Sequence, residues 1–183
     1  AYLKSVDQPS MKAALERGKS VITANKFLLA EHGHELFELA ESRGADLYFE
    51  AAVCGGVPVI RVLREALASD TVVSLRGIVN GTSNYILSRM ADEKLDYEVA
   101  LRGAQAAGYA EADPALDVNG GDAVHKLTIL ATLAFGAKIR IEQISREGIE
   151  HIEAIDMRFA ERFGYVIKLL ATGRALPGGA LDL

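Results

Sequence analysis

The chain has 183 residues, with 25 acidic and 20 basic side chains for a formal charge of −5, half of its residues apolar and a quarter charged. These values match average globular domains and exclude disordered, collagen-like and disulfide-scaffold chains. A negative balance without a basic run also argues against nucleic acid as the main partner, because phosphate binding needs clustered Lys and Arg.

The single cysteine, Cys54, cannot form an internal disulfide, and no apolar run approaches the roughly 20 residues of a membrane span. Residues Ala1 to Ser10 lack the basic-then-apolar layout of a signal peptide, so the expected location is cytoplasmic. Short β-rich runs alternate with longer helical ones, the pattern of an α/β or α+β domain. A helix is expected from Met11 to Arg17, stopped by Gly18, followed by a strand over Ser20-Val21-Ile22-Thr23. Ala24-Asn25-Lys26 then stands at a strand-to-helix junction, because Leu28, Leu29, His32, Leu36, Leu39 and Ala40 recur at helical spacing up to Gly44. Junctions of this kind are favoured places for active sites.

A second strand is expected over Asp46 to Val53, and a helix over Val59 to Ala68 opened by Pro58. The third strand, Thr71 to Val79, ends in Asn80-Gly81-Thr82-Ser83-Asn84, where Thr82 or Ser83 can cap a following helix. Helices are expected over Tyr85 to Ala91, Tyr97 to Ala107 and Ala123 to Phe135. The stretch from Gly136 to about Ile155 reads as irregular. Asp156 to Phe163 reads as a helix, Tyr165 to Ala171 as a last strand, and the tail after Pro177-Gly178-Gly179 as too short for another element. The expected fold is α+β: one mixed sheet built from strands near residues 20, 47, 72 and 166, with helices packed mainly on one face.

The densest chemical signal is Gly108 to Asp117 followed by Asp122 and Lys126, where Glu111, Asp113, Asp117 and Asp122 fall within twelve positions. Asp122 and Lys126 are spaced i, i+4, so on one helix they share a face and the carboxylate can orient the ammonium. Burial lowers and nearby carboxylates raise the proton affinity of such a lysine, which suits it to proton transfer; a surface ion pair at a helix start is the plainer alternative. The four carboxylates could also hold magnesium or calcium, although their spacing is not that of an EF-hand. His32, His34, His125 and His151 are scattered and read as structural or solvent-facing. Cys54, between a strand and Gly55-Gly56, could serve as the nucleophile of an aldehyde-oxidising enzyme, against the plainer reading of a small core thiol.

Four segments in order resemble homoserine dehydrogenases: Thr23-Ala24-Asn25-Lys26; Glu50-Ala51-Ala52-Val53 with Gly56-Val57-Pro58-Val59-Ile60; Gly77 to Leu87; and Gly108 to Pro114 running on to Asp117, Asp122 and Lys126. The resemblance implies NAD- or NADP-dependent interconversion of L-homoserine and L-aspartate 4-semialdehyde, on the route to threonine, methionine and isoleucine. It casts Lys126 as the acid/base lysine, with Lys26 and Asp122 as further catalytic residues. Glu111, Asp117 and Tyr109 become substrate-binding, and Lys26 and Asn25 cofactor-binding. It also implies a sodium or potassium ion held by the main-chain carbonyls of Glu50, Val53, Gly55 and Val57, and a homodimer. Cys54 has no role in that chemistry.

No G-x-G-x-x-G phosphate turn occurs in the chain. Residues 1–25 are therefore expected to be a remnant of the cofactor-domain edge, and 26–183 the substrate-binding, catalytic and dimerisation domain, truncated at its C-terminus. Weak cofactor binding is expected of such a piece, and a catalytically inactive dimerisation fragment is the alternative.

Overall fold

A computed structural model describes residues 7–183. The first six residues of the expected 1–25 cofactor-domain edge lie outside that range. The chain divides into two compact units, one holding the described residues up to Leu75 with His125–Ile144 and Thr172–Leu183, the other Arg76–Val124 with Ser145–Ala171.

The first unit begins with α1 (Gln8–Glu16), whose first turn is capped by the Asp7 carboxylate accepting from the Ser10 amide at 3.1 Å. Met11 and Leu15, one turn apart, are its buried face, and the helix packs on α2 (Lys26–Ser42). Strands β1 (Val21–Ile22) and β2 (Leu47–Tyr48) pair in parallel, with Val21 opposite Leu47 and Ile22 opposite Tyr48. Both are shorter than expected: β1 keeps the middle two of the four residues Ser20–Thr23, and β2 ends early because the chain after Tyr48 tightens into a 3₁₀ turn over Glu50–Ala52. Phe49 is buried there and stacks on Phe37 of α2 at 5.2 Å.

The helix expected over Val59 to Ala68 is a single α turn, α3 (Val59–Arg61), running into a π turn over Val62–Ala66. Glu50 starts it by accepting the amides of Ile60 (3.0 Å) and Arg61 (2.9 Å), and Arg61 then pairs with Glu65. A carboxylate reaching ten residues forward meets orphan helix-end donors that local spacing cannot assign.

The second unit is helical. Its core holds Ile86, Leu87 and Met90 of α4 (Gly81–Asp92), Ala100 and Ala104 of α5 (Tyr97–Ala106), Val118 of α6 (Ala115–Val118), Ile149, and Met157 of α8 (Ala154–Arg162). The alanines of α5 allow close approach to α4. Helix α4 starts four residues before the expected Tyr85, because Asn80, not Thr82 or Ser83, is its cap: the Asn80 Oδ1 accepts the Ser83 amide at 2.8 Å. Likewise α7 (Gly121–Phe135) starts at Gly121, two residues before the expected Ala123.

The class is α+β, as expected, but the strands form two small sheets and not one. The other sheet has three strands in the order β3-β4-β5, made of Ser74–Gly77, Ala171–Ala175 and Leu181–Asp182. The strand expected at Tyr165–Ala171 is displaced toward the C-terminus. Ile167 and Leu169 instead pack against the helical core, and the Lys168 ammonium donates to Asn84 Oδ1 (2.9 Å) and Ser88 Oγ (2.7 Å) of α4. The tail does form an element: Gly178 and Gly179, at φ +82° and +84°, reverse the chain so that β5 pairs antiparallel with β4.

Candidate active site

At the end of β3 the chain turns into α4 through Asn80, which is 4% exposed. Its amide nitrogen donates to Asp117 Oδ1 at 2.7 Å and to Asp122 Oδ2 at 2.8 Å, while its oxygen takes the Ser83 amide. The angle between the two N–H bonds of a planar amide sets the two carboxylate oxygens roughly 5 Å apart. Two full charges at that distance repel by about 3 kcal/mol at an effective dielectric near 20, so the shared donor between them matters. Asp122 is buried in the first turn of α7, where the helix dipole favours an anion. Asp117 lies in the four-residue α6, and its backbone carbonyl accepts from the Ser83 hydroxyl at 2.8 Å.

The acidic loop is tied to α4 from the same side. Thr82 Oγ1 donates to the Tyr109 carbonyl at 2.8 Å, and the Tyr109 ring stacks on Tyr85 at 4.4 Å. Glu111 is exposed, and its carbonyl accepts from Gln105 Nε2 at 3.3 Å. Asp113 Oδ1 accepts the amide of Ala115, the first residue of α6, at 3.1 Å, so its carboxylate has a structural partner. Among the described residues, no group of three or more His, Cys, Asp and Glu side chains is placed to hold a metal ion.

Gly120, at φ +79°, and the Asn119 side chain, accepting the Gly121 amide at 2.8 Å, turn the chain from α6 into α7. Gly148 backs this turn. The Ile149 amide donates to the Val118 carbonyl at 2.8 Å, and a Cβ on Gly148 would come within 2.6 Å of that same carbonyl oxygen.

In the first unit, Asn25 caps α2 through its oxygen, which accepts the Leu28 amide at 3.2 Å, and Lys26 is the first residue of that helix. The Lys26 ammonium sits 5.1 Å from the Phe27 ring centre. Phe27 in turn meets His125 edge-on, ring centres 4.6 Å apart, so the start of α2 touches α7 at the residue before the half-buried Lys126. His125 is thus a packing residue. His32 and His34 are half-buried beside Glu31 and Glu38, and His151 is exposed.

Cys54, half-buried, occupies a turn closed by the Val57 amide donating to the Cys54 carbonyl at 2.8 Å. Its φ of +51° and the +89° of Gly56 bend the backbone between Val53, Gly55 and Val57.

Of the residues singled out in the sequence, Asp117 and Asp122 are thus bridged by one amide, with Tyr109 anchored beside the helix that supplies it. Lys26 and Asn25 meet the α7 segment that carries Lys126. Asn80 and Gly148 were absent from the expected site. The only local signal for Asn80 was its place at the head of a Gly-Thr-Ser turn, and Gly148 lay in a stretch without periodicity.

A family model for homoserine dehydrogenase matches residues 58–178, and one for the homoserine dehydrogenase NAD-binding domain matches residues 7–50. The chain belongs to the homoserine dehydrogenase family. It is 50% identical over 166 residues to the homoserine dehydrogenase of Neisseria gonorrhoeae, covering 91% of this chain and 38% of that protein. With the enzyme of Mycobacterium tuberculosis it is 54% identical over 167 residues, covering 90% of this chain and again 38% of the relative. The solved homoserine dehydrogenase of Thiobacillus denitrificans superposes with a TM-score of 0.89 at 47% identity, covering 92% of this chain and 39% of that one. A hyperthermophilic archaeal homoserine dehydrogenase in complex with NADPH gives a TM-score of 0.77 at 30% identity, covering 94% and 50% of the two chains. The chain therefore spans about 38% of the length of these curated relatives.

Proposed function

We propose that the protein of which this chain is a part interconverts L-homoserine and L-aspartate 4-semialdehyde, within amino-acid biosynthesis in the cytoplasm. The observation that carries the reading is the Asp117–Asn80–Asp122 cluster, in which one amide holds a carboxylate suited to a substrate ammonium, Asp117, beside the carboxylate one helical turn before Lys126. Nicotinamide, as NAD or NADP, supplies or accepts the hydride at the carbonyl carbon when bound. Asp117 and Glu111 grip the substrate's ammonium, and Tyr109 shapes the wall beside them. Lys126 protonates the carbonyl oxygen as negative charge grows on it in the reductive direction, and takes the hydroxyl proton in the other. Asp122, one helical turn before Lys126, orients that ammonium.

The residues at the head of α2 fit the anionic part of such a cofactor. Lys26 supplies a cation at a helix N-terminus, with Asn25 at the cap. The match of residues 7–50 to an NAD-binding model and the NADPH complex of the archaeal relative support the same placement. The carbonyls of Glu50, Val53, Gly55 and Val57 are the proposed seat of a sodium or potassium ion. Left-handed Cys54 and Gly56 give that turn the curvature for converging carbonyls, and the Glu50 carboxylate is engaged by α3, so its main-chain oxygen is the part available to an ion. A homodimer is the proposed assembly.

The test is the absorbance at 340 nm of the intact protein with L-homoserine and NADP or NAD. Turnover is expected, and Lys126→Ala is expected to lower kcat/KM by about 10²–10⁴, the usual loss for an acid/base group. No absorbance change with either cofactor would remove the activity, and a Lys126→Ala variant with undiminished turnover would remove that residue from the mechanism.

A further inference from the structure

We propose that Asn80 is a positioning residue of this site: its one amide nitrogen, hydrogen-bonded to both Asp117 and Asp122, sets the spacing of the two carboxylates and so determines how firmly the amino group of homoserine is held. The proposal rests on the dehydrogenase reading above and deepens it.

As the cap of α4, position 80 needs only an acceptor for the Ser83 amide, and Asp, Ser or Thr would serve. An asparagine adds two donors on the opposite side of the same planar group, and both point at carboxylates. The hydrogen-bond pattern admits a single orientation of the amide, since flipping it would face its oxygen to two anions and its NH₂ to a backbone amide. At 4% exposure of Asn80, water has little access to replace these donors.

What Asn80 supports is weak on its own. Helix α6 has four residues, too few to hold itself, and the attachments of Asp117 run to the first turn of α4: side chain to Asn80 and carbonyl to the Ser83 hydroxyl. Asp122 comes from a different helix, so the spacing between the two carboxylates is set through the amide they share.

The experiment compares wild type, Asn80→Asp and Asn80→Ser in the intact protein. Asn80→Asp keeps the shape and the cap acceptor but turns a donor into a third carboxylate. Asn80→Ser keeps a cap-type hydroxyl and deletes both donors without adding charge. Loss of hydrogen bonds to charged groups is expected to raise the KM for homoserine by about 10- to 100-fold in both. The melting temperature should fall, more in Asn80→Asp than in Asn80→Ser, because a third buried carboxylate adds repulsion, while the KM for the nicotinamide cofactor should stay close to wild type. Two folded variants with the wild-type KM for homoserine, or with both KM values raised in step, would overturn the positioning role while leaving the activity intact. A wild type without homoserine turnover overturns the dehydrogenase reading and this inference with it. If one substitution prevents folding, the other decides.

Discussion

Gly148 shows how far a single residue can act from its own sequence neighbourhood. It has no Cβ, and the space where one would stand is taken by the Val118 carbonyl at 2.6 Å, the Asn119 Cα at 2.7 Å and the Glu150 carboxylate. Two of these three are backbone atoms, which cannot rotate away. Gly148→Ala must therefore push segment 145–149 off the α6–α7 turn that carries Asp117 and Asp122. Overpacking of this kind typically costs about 1–3 kcal/mol. A lowered denaturation midpoint of that size is expected, with the homoserine KM raised. An alanine variant as stable as wild type would show that the turn yields without cost. Cys54 is the opposite case: a thiol singled out by its sequence position belongs to a turn, closed by its own carbonyl and the Val57 amide.

At the level of elements, the helix pair α4 and α5 forms the support of the second unit, and its contacts explain why α4 is stiff enough to carry Asn80. Ala100 and Ala104 are wholly buried against it, and Arg89 of α4 pairs with Glu93 one turn on, which holds the Glu93 carboxyl below its ordinary range. Tyr97, at the head of α5, is pushed the other way, because burial and the neighbouring Glu150 and Glu98 disfavour the phenolate. The folded chain therefore holds the Tyr97 proton above the value near 10 expected of an unfolded chain. Its contribution to stability is complete below about pH 10 and is lost as pH rises through the folded value. Absorbance at 295 nm should show one tyrosine titrating late, with the melting temperature falling over the same range. Replacement by Phe should remove that late step, and an unchanged titration curve in Tyr97→Phe would refute the assignment.

At the level of the whole molecule, several large apolar side chains stay exposed. Phe159, Phe163, Tyr165, Val166 and Leu170 follow one another from α8 into the segment before β4, each between 47% and 72% exposed. Large exposed apolar patches mark interaction surfaces. This run supports the proposed homodimer, and sedimentation of the intact protein at micromolar concentration should give a dimer mass. A monomer throughout that range would contradict it. Among the described residues no helix is long and apolar enough to cross a membrane.

The amino-acid sequence determined what acts over one or two turns of chain. The apolar spacing from Leu28 to Ala40 defined the buried face of α2, the i, i+4 interval of Asp122 and Lys126 put both on α7, and Asn25-Lys26 marked a strand-to-helix junction. The ordered segments at Thr23–Lys26, Glu50–Ile60, Gly77–Leu87 and Gly108–Lys126 also carried the family. Tertiary structure decided the rest, because hydrogen-bond partners distant in sequence leave no periodic trace. Asn80 finds its carboxylates 37 and 42 residues away, Lys168 is drawn from an expected strand to α4 across 84 and 80, and Glu50 starts a helix ten residues ahead. Propensity reaches only neighbours along the chain, whereas these side chains answer to whichever donors and acceptors packing brings within 3 Å.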